Sequence, residues 1–158
     1  MKLLITGFSG FVSKHFLDLL NREEKGAEVL GIDKNTPDFP LSDFPNISVS
    51  FKNVDLLNRT ATDNILDSFR PDHILHLASV SSVAQSWQTP LDSFVNNTNI
   101  FLNLVEHIRI SKNKCRIISV GSSEEFGEVS EKELPLTEEI FCVTFFDNKS
   151  EGFFTVLT

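Results

Sequence analysis

Tyrosine is missing from the 158 residues although phenylalanine occurs fifteen times, so chemistry that needs a phenol base is excluded from this chain. Cysteine is scarce. Cys115 and Cys142 stand far apart with no partner pattern, which argues against a disulfide framework or a cysteine metal clip and points to a reducing compartment. Basic residues are too few to balance the acidic ones, 14 against 22, and the formal net charge is −8. A protein that grips a nucleic-acid backbone needs a basic face, and this composition does not supply one. Long apolar runs are lacking as well. The stretch after Lys2 is too short for a signal peptide or a membrane span, so a soluble cytoplasmic protein is the expectation.

What is present suits one domain with a real core, since 41% of the residues are hydrophobic. The organising stretch is Met1 to Ser13, MKLLITGFSGFVS. Leu3-Leu4-Ile5 reads as a buried strand, Thr6-Gly7-Phe8-Ser9-Gly10 as a tight turn, and Phe11 onward as a helix. A strand, a glycine turn and a helix N-terminus make an anion site, because unpaired N–H groups and the helix dipole point at the turn. Glycine belongs there because a Cβ would hold a phosphate away from the backbone. The expected ligand is the pyrophosphate of a dinucleotide. The third small position is Ser13 rather than glycine, and the turn by itself reads equally as an ordinary strand–helix connection.

Helix periodicity runs from Phe11 to Asn21, with Phe11, Phe16, Leu17 and Leu20 near one face, and Gly26 ends it. Ala27 to Asp33 is the second strand. Asp33 lies twenty positions beyond Ser13, where a dinucleotide site places the carboxylate for the ribose hydroxyls; the alternative is a solvated aspartate that starts a turn. A carboxylate repels a 2′-phosphate and so favours NAD, while Lys34 beside it keeps NADP open. Residues 35–46 hold three of the six prolines and read as a loop. Ile47 to Phe51 alternates as a strand. At its carboxyl end Asp55 is placed to hydrogen-bond an adenine amino group and Leu56 to pack on the ring; Asp55 reads equally as a helix cap for residues 58–69, a stretch that is helical by pattern from Arg59 to Phe69. His73 to Ala78 is a short apolar strand, in which His76 reads as a packed residue and not a metal ligand, because no cluster of His, Cys or Asp accompanies it. Ser79 to Gln88 is a polar loop carrying the single Trp87. Pro90 to Ile110 is a long helix, with Phe94, Asn97, Phe101, Leu104, Val105 and Ile108 at helical spacing, and Arg116 to Val120 is the fifth strand.

Short apolar strands alternating with amphipathic helices mean βαβ units, an α/β fold and a Rossmann-type doubly wound parallel sheet. Ligands of such sheets sit at the carboxyl ends of the strands. The candidate cofactor contacts are therefore Gly7, Phe8, Ser9, Gly10, Phe11 and Val12 in the first turn, Asp33 and Lys34 after the second strand, Asp55 and Leu56 after the third, Leu77, Ala78 and Ser79 after the fourth, and Val120 at the end of the fifth. The run Gly121-Ser122-Ser123-Glu124-Glu125-Phe126-Gly127 follows. Its hydroxyls suit a substrate alcohol or ketone and its carboxylate suits proton transfer beside a carbonyl; a helix cap with first-turn acids is the alternative.

Thr6-Gly7-x-x-Gly10-Phe11-Val12, Asp55-Leu56, His76-Leu77-Ala78, Ser86-Trp87-x-x-Pro90, Asn97 and the run from Gly121 to Gly127 together resemble the extended short-chain dehydrogenases/reductases, the NAD-dependent epimerases and dehydratases. Within them the likeness is greatest to the nucleotide-sugar branch of GDP-mannose 4,6-dehydratases and GDP-4-keto-6-deoxymannose reductases, and it runs from Met1 to about Glu139. The resemblance implies a lyase or oxidoreductase acting on a nucleotide-sugar, with NAD as cofactor and NADP open, in a homodimer. It implies that Ser122 hydrogen-bonds the sugar O4, that Glu124 acts as acid and base at C5, that Ser123 marks the GDP-linked branch, and that Asn97 is the helix asparagine of the cofactor domain. Ser13, Ile100 and Phe126 depart from the pattern, and Ser13 is expected to loosen either the helix–strand packing or the approach of the pyrophosphate slightly.

The family mechanism takes a hydride from sugar C4, loses water across C5 and C6 and returns the hydride, or, in a reductase, delivers it to a 4-keto group. Either route uses a Tyr-x-x-x-Lys pair, which a chain without tyrosine cannot hold. The resemblance implies a cofactor domain over residues 1–139 and a divergent tail over 140–158, expected to be truncated or frameshifted, with five of the fifteen phenylalanines in it. The later strands and the substrate domain are then missing, the fifth strand is an exposed edge that the tail partly covers, and the chain is an inactive or partial form. The alternatives are an NAD(H)-binding module without turnover and a structural subunit that pairs through its edge.

Overall fold

The computed structural model describes residues 1–121 and 130–137, with the backbone alone at residues 83 and 133. The chain forms β1 (Lys2–Thr6), α1 (Phe11–Glu23), β2 (Glu28–Asp33), β3 (Ser48–Asn53), α2 (Arg59–Phe69), β4 (His73–His76), α3 (Val83–Gln88), α4 (Pro90–Ser111) and β5 (Arg116–Ser119). Its described residues divide into two compact units, one of Met1–Ser79 with Thr98–Val120, the other of Val80–Asn97 with Gly121 and residues 130–137.

In the first unit the five strands form one parallel sheet in the order β3-β2-β1-β4-β5. The chain moves outward from β1 through β2 to β3, then crosses back over the sheet through α2 to β4 and on to β5, which leaves β1 in the middle. Its side chains alternate between two cores: Leu3 and Ile5 pack with Leu17, Leu20, Val29 and Phe8 on one face, and Leu4 with Leu30, Ile32, Ile65, Ile74 and Leu104 on the other. Both faces are covered, which is why β1 reads as an unbroken apolar run and not as an alternating one. Each fully buried Leu or Ile contributes about 1.5–3 kcal/mol relative to exposure. Asn103 Nδ2 donates to the Leu56 carbonyl at 2.8 Å, and His107 Nδ1 lies 2.9 Å from Asp63 Oδ1, so α4 is tied to α2 beside the apolar contact. Ile100, where the family pattern has glycine, is 4% exposed and fills that core.

The sequence expectations differ from this structure at four places. The proline-rich stretch 35–46 contains a turn of 3-10 helix (Leu41–Asp43) and buries Phe39 and Phe44 in the core, because its two rings have an apolar face of the sheet to cover. Phe11, expected on the packed face of α1, is 81% exposed: the buried line is Ser13, Leu17 and Leu20, and Phe11 rests edge-on against His15 with ring centroids 4.4 Å apart. β4 stops at His76, two residues short of the expected end: the Leu77 amide is shared between the Thr6 carbonyl and the Thr6 hydroxyl, and the Ala78 amide goes to that hydroxyl and not to a strand carbonyl. In the second unit, the polar stretch expected as a loop holds α3, whose start is capped by Ser82 Oγ accepting from the Gln85 amide at 3.3 Å.

β5 pairs with β4 and is the edge of the sheet among the described residues, with Ile118 64% exposed. No helix among the described residues is long and apolar enough to cross a membrane.

Candidate functional site

The carboxyl ends of β1, β2 and β4 meet around the turn from Thr6 to Gly10. Gly7 sits at φ +67°, and a Cβ built on it would fall 2.7 Å from the Ala78 nitrogen, so conformation and close approach both demand glycine. Gly10 caps α1, its amide donating to the Gly7 carbonyl at 3.0 Å. A cap without a side chain leaves the first turn of α1 unanswered, and that turn contains no acidic residue. α2 is built differently, with Asn58 Oδ1 accepting from the Ala61 amide at 3.1 Å. The start of α1 is therefore fitted to an anion from outside, at a place where glycine backbone lets it approach.

Ser13 corrects an expectation. It does not loosen the helix–strand packing: it is fully buried, and its Oγ donates to the Gly7 carbonyl at 3.1 Å. A serine at the third position of the pattern thus clasps the first glycine.

Asp33 is half-buried at the end of β2. Its Oδ2 accepts from the Ser9 amide at 3.0 Å and the Ser9 hydroxyl at 2.6 Å, and its Oδ1 from the Asn35 amide at 3.0 Å. The two readings of Asp33 are thus compatible, because one oxygen starts the turn after β2 while the carboxylate as a whole stands against the glycine turn. Lys34 is exposed, and its carbonyl accepts from Asn53 Nδ2 at 2.8 Å.

Beneath the turn lies a pair that the sequence does not announce as one. Thr6 and His76 are both buried and opposite each other in the β1–β4 register. Thr6 Oγ1 is 2.7 Å from His76 Nδ1 and accepts from the Leu77 and Ala78 amides at 3.2 and 3.1 Å. Burial pulls the His76 imidazole from its ordinary 6.5 down to about 4. The reading of His76 as a packed residue agrees with this; its partner is found only in the fold.

The remaining candidates separate by burial. Phe8 is a core residue and not a surface for a ligand: it is fully buried, with its ring 5.6 Å from Phe39 and 5.8 Å from Phe51. Leu56 is 5% exposed and packs into the core, so its side chain has no free face for an adenine ring. Asp55 is exposed and does not cap α2; its Oδ1 accepts from the Leu57 amide at 2.9 Å, and Asn58 is the cap. Leu77 and Ala78 are half-buried with their amides held by Thr6, while Ser79 and Val120 are exposed. Asn97, in the second unit, is a backbone clasp: its Oδ1 accepts from the Val80 amide at 2.7 Å and its Nδ2 donates to the Val80 carbonyl at 3.3 Å. Ser122, Ser123 and Glu124, and the tail 140–158, lie outside the described residues.

A family model described as the NAD dependent epimerase/dehydratase family matches residues 3–145. The UDP-glucose 4-epimerase of Caenorhabditis elegans is 30% identical over 153 residues, covering 88% of this chain and 42% of that protein. A probable dTDP-glucose 4,6-dehydratase of Sinorhizobium fredii is 28% identical over 145 residues, covering 84% of this chain and 41% of that protein. Among solved structures, the Thermus thermophilus UDP-glucose 4-epimerase in complex with NAD matches with a TM-score of 0.67 and 29% identity, over 84% of this chain and 42% of that one. The chain thus spans about two fifths of the length of the relatives it matches.

Proposed function

The chain belongs to the NAD dependent epimerase/dehydratase family, and on that premise we propose that the turn from Gly7 to Gly10 and the carboxylate of Asp33 seat NAD in a protein that transforms the hexose of a nucleotide-sugar. The observation that carries the reading is the start of α1, a helix N-terminus with no capping side chain, opened by two glycines and faced by a carboxylate tied to the same turn. In this reading the amides of Phe11 and Val12 face the pyrophosphate, while the Ser9 and Gly10 amides, held by Asp33 and the Gly7 carbonyl, shape the turn that admits it; Asp33 receives a ribose hydroxyl, and exposed Asp55 meets the adenine amino group. Leu77, Ala78, Ser79 and Val120 line the way toward the nicotinamide. NAD, when bound, supplies the acceptor and donor of a hydride. Asp33 favours it over NADP.

The sugar chemistry is assigned to the residues after β5: Ser122 to the sugar hydroxyl, Ser123 beside it, and Glu124 to proton transfer. The nucleotide is a finer question. The relatives above are named for UDP- and dTDP-glucose, and the sequence likeness to the GDP-mannose branch rests on Ser123, so a nucleotide-linked hexose is the substrate class proposed. No tyrosine is available in these 158 residues to act with a lysine, and this favours cofactor binding without turnover by the chain on its own.

Calorimetric titration of the purified chain with NAD+ and NADH tests this reading, with circular dichroism to establish folding. Saturable binding is expected. UDP-glucose, dTDP-glucose and GDP-mannose, each added with NAD+, are expected to give no product. A folded chain that binds neither form of the cofactor overturns the reading, and one that self-associates without binding nucleotide favours the structural-subunit alternative.

A further inference from the structure

Asp33 is held from three sides, and only one of the three donors depends on the identity of a neighbouring side chain. The Ser9 and Asn35 amides would be present with any residue but proline at those positions. The Ser9 hydroxyl, 2.6 Å from Oδ2, is specific to serine or threonine, and its length is that of a hydroxyl donating to a carboxylate. Ser9 and Asp33 are both half-buried, which limits competition from water. A carboxylate offers about four acceptor positions, so three donors leave about one for a ligand hydroxyl and fix the plane of the group that presents it.

We infer that the Ser9 hydroxyl is a positioning group that orients the Asp33 carboxylate for the ribose of the cofactor and thereby sets the preference for NAD+ over NADP+. The inference rests on the cofactor seat proposed above. Rejection of a 2′-phosphate requires the carboxylate to stay where that phosphate would lie. Lys34, next in sequence and exposed, carries the opposite charge. Without the Ser9 hydroxyl the carboxylate keeps its two amide donors but loses the third that fixes its plane, and the charge of Lys34 then offsets the loss for a ligand carrying a 2′-phosphate. Ser9 therefore decides which of two adjacent charges the ligand meets first.

The test measures dissociation constants for NAD+ and NADP+ on the whole chain, at one pH and ionic strength, for the wild type, Ser9→Ala and Ser9→Thr. The alanine variant is expected to weaken NAD+ about tenfold, the equivalent of one hydrogen bond from a ribose hydroxyl to a carboxylate no longer aligned for it, while NADP+ changes less than about twofold. The threonine variant is expected to restore the wild-type ratio. An unchanged NAD+/NADP+ ratio in Ser9→Ala overturns the role of Ser9, even if both affinities fall together, because a purely structural contact would weaken both alike. Failure of a folded Ser9→Thr to restore the ratio overturns it as well. Ser9→Cys, close in shape and a poor donor, carries the same measurement if the alanine variant does not fold. A folded wild type that binds neither nucleotide overturns the seat itself and the role of Ser9 with it; wild-type binding with an insensitive ratio removes Ser9 alone.

Discussion

Thr6 Oγ1 lies 2.7 Å from His76 Nδ1, and the same oxygen accepts from the amides of Leu77 and Ala78. A hydroxyl oxygen has two lone pairs and one proton. The Ala78 amide and the Leu77 amide, the latter shared with the Thr6 carbonyl, lie on the lone pairs, and burial keeps His76 neutral, so the arrangement favours the hydroxyl proton on Nδ1 and the imidazole proton on Nε2. One side chain thereby joins β1 to β4 and fixes the backbone that lies against Gly7. Protonated His76 would present a donor to an oxygen with no acceptor position left.

Acid should therefore unfold the protein through His76. Burial lowers the imidazole to about 4 in the folded chain, below its ordinary 6.5, so the unfolded chain takes up the proton first as pH falls. The stability tied to neutral His76 is whole above the unfolded value of 6.5 and is lost as pH falls toward 4, about 3 kcal/mol over that window. Urea unfolding across this range measures it. His76→Leu, which cannot titrate, should lose that part of the pH slope; an equal slope in both proteins would show that other groups carry it.

Ser13→Ala should cost about 1 kcal/mol, the loss of one buried hydrogen bond whose acceptor keeps a second donor in the Gly10 amide. Ser13→Gly, which restores the family pattern, should cost more, since glycine adds its own penalty within the first turn of a helix. Urea midpoints order the three proteins. A glycine variant more stable than wild type would mean that the hydroxyl contributes nothing to the turn.

Gly31 should tolerate no side chain while Phe8 is present. A Cβ at Gly31 would lie 2.1 Å from Phe8 Cγ, near the fixed base of a fully buried ring. Gly31→Ala is expected to destabilise by about 3 kcal/mol, the upper end of overpacking costs. Phe8→Leu in the same chain should recover part of that loss, with a coupling of about 1 kcal/mol or more in a double-mutant cycle. Additive effects would place the strain elsewhere.

The glycine turn, the five strands and the long helices are legible from local pattern, since period-2 and period-3.6 repeats and glycine spacing are properties of neighbouring residues. The candidate site was legible in its backbone and less so in its side chains. Asp33 is marked by its place at a strand end, but nothing near it in sequence tells that Ser9 donates to it. Phe8 and Leu56 sit at site positions in sequence and are drawn into the core, because an apolar side chain beside a strand end takes whichever buried face the sheet offers. Asp55 and Asn58 are both good caps, and only the path of the chain assigns the cap to Asn58.

By itself the sequence determined the alternation of strand and helix, the open N-terminus of α1 and the absence of a phenol base, because each depends on residue identity and short spacing alone. The tertiary structure decided that Thr6 meets His76, that Ser9 binds Asp33, that Ser13 clasps Gly7, and that Phe39 and Phe44 leave a proline-rich loop for the core. The first two of these join residues 70 and 24 positions apart, and the third and fourth depend on how a turn and a sheet face are built. Hydrogen-bond geometry and burial belong to the assembled sheet, and no local period encodes them.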